Sequence, residues 1–93
     1  MEIKKVGVLG AGTMGNGITQ LCAQSGFEVV MRDVTNELVD RGMKNIDRTL
    51  GGLVTKGKLS EEDKKAILSR IKRTTEMSDL KDVDYVIEAV FEN

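Results

Sequence analysis

The sequence predicts an α/β fold built on a parallel sheet, and three observations carry that prediction. A glycine-rich stretch, "GAGTMG", follows an apolar strand candidate and opens a helical period. A second strand candidate ends on Asp33, closing a strand–helix–strand unit of about thirty residues. Near the end, "DYVIEAVF" is almost continuously apolar, the pattern of a parallel strand covered on both faces.

Each element follows in order. Residues 3–9, "IKKVGVL", are rich in aliphatic residues and stop at Gly10, as a short strand would. Met14, Ile18, Leu21, Cys22 and Ser25 then recur at the spacing of one helical face, and Gly26 stands where a helix C-terminus favours glycine. Residues 27–32, "FEVVMR", form the second strand, with Phe27, Val29 and Met31 on one side. Thr35 can cap a long helix carrying Val39, Met43, Ile46, Leu50, Leu53 and Val54. Gly42, Gly51 and Gly52 weaken that helix and predict a kink or a close approach near residue 51.

After the basic turn "TKGK", "SEED" has the form of a capping box, opening a helix from Ser60 to about Ser69. The two helices make a hairpin inserted between strands 2 and 3. "IKRTT" from Ile71 is extended, Ser78 can cap a single turn through Leu80, and residues 84–91 form the fourth strand. The whole is one unit of about four strands, with the order 3-2-1-4 usual for such a sheet.

Composition narrows the function. Fourteen basic and fifteen acidic residues nearly cancel among 93, which gives no argument for nucleic acid or an anionic membrane surface. No apolar run approaches the roughly eighteen residues of a membrane span. The first strand begins almost at Met1, which leaves no room for a signal peptide, so the cytoplasm is expected. One cysteine, Cys22, allows no internal disulfide and reads as a small buried side chain or, alternatively, a reactive thiol. There is no histidine, which removes the commonest general acid/base, and no metal ligand set or catalytic residue is assigned.

Gly10, Gly12 and Gly15 satisfy G-x-G-x-x-G. The first permits a tight turn, the second admits a pyrophosphate to the backbone, and the third allows close packing of the helix. The N–H groups around Thr13 and Met14 would face the anion at the positive end of the helix dipole. Asp33, twenty-three residues after Gly10, matches the carboxylate that accepts from an adenosine ribose, and it favours NAD over NADP. A purely structural glycine turn is the alternative. Arg32 is either a solvated side chain or a contact to adenine or a 2′-phosphate. Gly17 lies outside the fingerprint and is expected to aid helix packing.

With the turn, Asp33, the hairpin "LVTKGKLSEEDK" and "DYVIEAVFEN" together, the chain resembles the N-terminal part of the 3-hydroxyacyl-CoA dehydrogenase family, and within it the bacterial 3-hydroxybutyryl-CoA branch. The resemblance covers all 93 residues. It implies residues 1–93 of a Rossmann-type NAD-binding domain, hydride transfer between NAD and the C3 hydroxyl of a short-chain acyl-CoA, and a homodimer built by a later helical domain. It places Ala89, Val90 and Glu92 beside the nicotinamide half of the cofactor, and Lys56 with Thr49 on the CoA substrate. Without it, Glu88 and Glu92 read as a solvated strand end and "TKGK" as a solvated turn. Gly51 and Gly52 depart from the polar or basic residues usual in that stretch.

The family's histidine–glutamate base, serine and asparagine have no counterpart here, so the chain alone is expected to be inactive. Two other readings stay open: an NAD-sensing module without catalysis, and a related dehydrogenase acting on another hydroxy acid. The free edge of the fourth strand is expected to associate with another chain.

Overall fold

A computed structural model describes residues 2–89. It contains β1 (Lys5–Leu9), α1 (Thr13–Gln24), β2 (Glu28–Arg32), α2 (Asn36–Thr55), α3 (Glu61–Ser69), β3 (Ile71–Thr74), a 3-10 turn (Met77–Leu80) and β4 (Tyr85–Glu88). The four strands are parallel and ordered β3-β2-β1-β4, as expected for this Rossmann-type sheet. Val6 pairs in register with Val29 on one side and Tyr85 on the other. The hairpin α2–α3 sits between β2 and β3 in the chain.

Three helices cover one face of the sheet because each crossover from β1 to β2 to β3 steps in the same direction and is right-handed. Beneath them lies the core: Val6 and Val8 of β1, Val29 and Met31 of β2, Val39, Ile46 and Leu50 of α2, and Ile67 of α3. Met31, Ile46 and Leu50 are wholly buried, so the apolar period read along α2 is the period of its packed face. Thr35 Oγ1 accepts from the Leu38 N–H at 3.2 Å, and Ser60 Oγ accepts from the Asp63 N–H at 3.0 Å. Both expected caps are present. Arg70, just past α3, donates from Nη1 to the Ala23 carbonyl at 2.8 Å and ties the hairpin to the end of α1.

Among the described residues, the opposite face carries only the connection from β3 to β4. Gly7 makes this crossing possible, since a Cβ there would stand 2.6 Å from Leu80 Cδ2 and 3.2 Å from Val83 Cγ2. Asp84 then fastens the incoming strand to the start of β1. Its Oδ2 accepts from the backbone N–H groups of Lys4 and Lys5 at 2.9 and 3.0 Å.

The structure corrects several expectations. The first two strands begin later than expected, at Lys5 and Glu28. The 3-10 turn opens at Met77 after Glu76, so Ser78 lies inside it rather than capping it. β4 is not covered on both faces: Tyr85 and Val86 are about half exposed, and among the described residues β4 pairs only with β1. The α2 helix runs unbroken to Thr55, and the close approach comes at Gly42, where a Cβ would lie 2.8 Å from the Ala11 carbonyl oxygen.

The largest correction concerns α1. Its buried residues are Gly15, Asn16, Thr19 and Ala23, whereas Met14 and Leu21 of the expected face are exposed. Small side chains bring this helix close to the sheet, with Ile18 and Cys22 half-buried against the core beside them. Gly17 is exposed, and a Cβ there would meet nothing within 4 Å, so it serves no packing among the described residues. Cys22 is only half-buried, and that burial pushes its thiol pKa up.

Candidate functional site

The site forms where β1 hands the chain to α1. Gly10 adopts a φ of 115°, open to glycine at little cost, and its N–H donates to the Arg32 carbonyl at 2.7 Å. This bond sets the turn against the end of β2. Ala11 is buried beneath it. Gly12 then precedes the helix with φ −71° and ψ −167°, a conformation that any residue can adopt.

No side chain caps α1, and its first turn holds no acidic residue. The first helical bond runs from the Asn16 N–H to the Gly12 carbonyl at 2.8 Å, leaving the N–H groups of Thr13, Met14 and Gly15 without a helical acceptor. Thr13 and Met14 are exposed. The result is a row of donors at the positive end of a helix that no side chain of the described residues caps.

The fingerprint glycines separate by what surrounds them. At Gly15 a Cβ would fall 1.9 Å from the Gly10 carbonyl oxygen, so the turn could not fold against the helix with a side chain there. At Gly12 a Cβ would meet no atom within 4 Å. Nothing among the described residues requires glycine at residue 12. A bare backbone beside free N–H groups is the cradle that a pyrophosphate needs, so these residues fit a dinucleotide.

Asp33 stands at the mouth of this cradle. Its Oδ2 accepts from the Ala11 N–H at 2.8 Å and its Oδ1 from the Val34 N–H at 2.7 Å, while its own N–H donates to the Thr74 carbonyl at 3.2 Å. The carboxylate therefore holds the glycine turn and the end of β2 in one arrangement. A carboxylate has about four acceptor positions, so capacity remains for ribose hydroxyls. Arg32 is half-buried, and its Nε donates to the Thr75 carbonyl at 3.0 Å. The Ala89 N–H donates to the Leu9 carbonyl at 2.8 Å, which brings this buried residue beside the turn. Val90 and Glu92 lie outside the described residues.

Sequence reasoning missed three contributors. Asn16 is buried and its Nδ2 donates to the Ala11 carbonyl at 3.4 Å. Gly42 seats α2 on that same carbonyl, and the Ala11 N–H anchors Asp33. Each depends on the path of the turn in space, which no spacing along the chain reveals.

Thr49 and Lys56 do not join this cluster. Both are exposed, Thr49 on α2 and Lys56 at its C-terminal cap, seven residues apart and so on one face. The Thr49 Oγ1 donates to the Asn45 carbonyl at 2.9 Å, and Lys56 has no carboxylate partner among the described residues. At 1.5 Å per residue they stand about 10 and 21 Å along the helix from Gly42. Only an extended ligand could reach them and the turn together.

Comparison with known proteins adds to this geometry. Residues 5–93 match the family model described as "3-hydroxyacyl-CoA dehydrogenase, NAD binding domain". The chain is similar to a probable 3-hydroxybutyryl-CoA dehydrogenase of Deinococcus radiodurans, 49% identical over 96% of this chain and 32% of that protein. It is also similar to one of Bacillus subtilis, 41% identical over 100% of this chain and 32% of the relative. A crystal structure of (S)-3-hydroxybutyryl-CoA dehydrogenase from Ralstonia eutropha superposes with a TM-score of 0.96 at 49% identity. That match covers 99% of this chain and 32% of the other. The chain thus spans about a third of the length of these relatives.

Proposed function

Because the chain belongs to the 3-hydroxyacyl-CoA dehydrogenase family through that family's NAD-binding domain, we propose that it holds NAD for hydride exchange with the C3 hydroxyl of a short-chain 3-hydroxyacyl-CoA. In this reading residues 1–93 form the N-terminal third of such an enzyme. The Thr13 and Met14 N–H groups take the pyrophosphate over Gly12, and Asp33 takes the adenosine ribose. Ala89, Val90 and Glu92 border the nicotinamide half, and NAD when bound supplies the hydride acceptor. Lys56, with Thr49 two turns earlier, meets the CoA phosphates as a point charge on an exposed helix face. No histidine of this chain can take the hydroxyl proton, so the chain binds and orients without completing the reaction.

The open space at Gly12 carries this reading. Serine is a good helix N-cap and would satisfy one of the unpaired N–H groups, so on folding grounds alone serine would serve at least as well. Glycine at residue 12 makes sense when a ligand occupies that space. Gly12→Ser is therefore expected to keep or slightly raise the melting temperature while weakening NADH binding at least about tenfold by calorimetric titration, a change of about 1.4 kcal/mol. Wild-type chain that binds no NADH, or G12S protein that binds it as tightly as wild type, would sink the proposal.

A further inference from the structure

Asn16 lies near the start of α1 and is only 8% exposed. Asparagine is a weak helix former, and a buried amide costs stability unless it is hydrogen-bonded, so the residue needs a reason to be there. Its side chain makes one hydrogen bond among the described residues, from Nδ2 to the Ala11 carbonyl at 3.4 Å. Its main-chain N–H donates to the next carbonyl along the chain, that of Gly12, at 2.8 Å. One residue thus holds two consecutive carbonyls of the glycine turn.

That hold has a direction. A planar trans peptide points its C=O and its N–H to opposite sides. The Ala11 carbonyl is drawn inward, to Asn16 and to the seat of α2, where a Cβ on Gly42 would lie 2.8 Å from its oxygen. The Gly12 N–H belongs to the same peptide and is therefore turned outward. It meets no acceptor among the described residues, and a Cβ on Gly12 would meet no atom within 4 Å. The Thr13 N–H differs, because its peptide is held by the helix's own main chain whatever side chain residue 16 carries.

We infer, on the reading of this turn as an NAD site, that Asn16 is a positioning residue for the cofactor. By holding the Ala11 carbonyl it presents the Gly12 N–H to the pyrophosphate, beside the N–H groups of Thr13 and Met14. Glycine at residue 12 leaves the room and asparagine at residue 16 sets the aim. A leucine at residue 16 would take similar space and favour the helix more, but it has no donor for the carbonyl. A hydrogen bond to a charged oxygen is among the stronger ones, so losing its aim is expected to weaken binding about tenfold.

The test uses the 93-residue chain with NADH as the probe, followed by calorimetric titration and by the amide resonances of isotope-labelled protein. In wild type, NADH is expected to move the Gly12, Thr13 and Met14 amide protons downfield, as hydrogen bonds to an anion do. Asn16→Leu is expected to keep the Thr13 response, lose the Gly12 response and bind NADH about tenfold more weakly. Asn16→Ala, which also lacks a donor, takes its place if the leucine variant does not fold. Ile67→Val, a core change on α3, is expected to lower the melting temperature and keep the wild-type affinity. Wild type that binds NADH while its Gly12 amide stays still overturns the inference and leaves the NAD reading standing. So does N16L protein that binds as tightly as wild type, or I67V protein that loses as much affinity as N16L. A wild-type chain that binds no NADH overturns both.

Discussion

Gly12 and Gly15 stand three positions apart yet answer to different atoms. Gly15 answers to the Gly10 carbonyl oxygen, 1.9 Å from where its Cβ would be, and that oxygen belongs to backbone fixed by the Gly10–Arg32 bond. Neither partner can rotate away. Gly15→Ala is thus expected to lose about 3 kcal/mol in urea denaturation, the upper part of the overpacking range. Gly12 answers to no atom of the described residues. The motif announces both glycines alike, and only their surroundings separate the one that close packing requires from the one that it does not. Asp33 shows the same limit. Its position at a strand end was legible in the sequence, but its bond to the Ala11 N–H was not, because it depends on how the turn folds back over β2.

At the scale of elements, caps and periods were legible wherever a helix packs through its large side chains. The α2 helix does so, and Val39, Ile46 and Leu50 are buried as its spacing predicts. The α1 helix buries Gly15, Thr19 and Ala23 instead, and of the expected stripe Ile18 and Cys22 pack at the edge of the core while Met14 and Leu21 stay exposed. Strand burial failed for a different reason: continuous apolarity in β4 describes a strand suited to two covered faces, whatever covers them in this chain. The start of β1 also depends on one titratable contact. The Lys4 N–H, and after it the Lys5 N–H, hold the Asp84 carboxyl below its ordinary pKa. A depressed folded value means that this contribution is full above about pH 4 and fades as pH falls through the folded pKa. Asp84→Asn is expected to flatten the loss of melting temperature below about pH 4, measured against wild type in a series of acidic buffers.

Across the whole molecule, the glycine turn and the Asp33 carboxylate lie together at the C-terminal ends of the parallel strands β1 and β2. On the proposed reading, NADH at a hundredfold excess over its dissociation constant should stabilise the chain by about 2.7 kcal/mol. The same sample given NAD and 3-hydroxybutyryl-CoA should produce no NADH absorbance, since no histidine is present to take the proton. Stabilisation without turnover is the expected pair of results, and turnover would show that another group serves as base. The α2 helix adds a property of length. Its zero mark is Gly42, pressed against the Ala11 carbonyl, and its far mark is Lys56, about 21 Å on. An unbroken helix between two such marks is a ruler. One residue inserted between them would turn the far mark by about 100° and lengthen the scale by only about 1.5 Å, so the direction in which Lys56 points is far more sensitive to insertion than its reach.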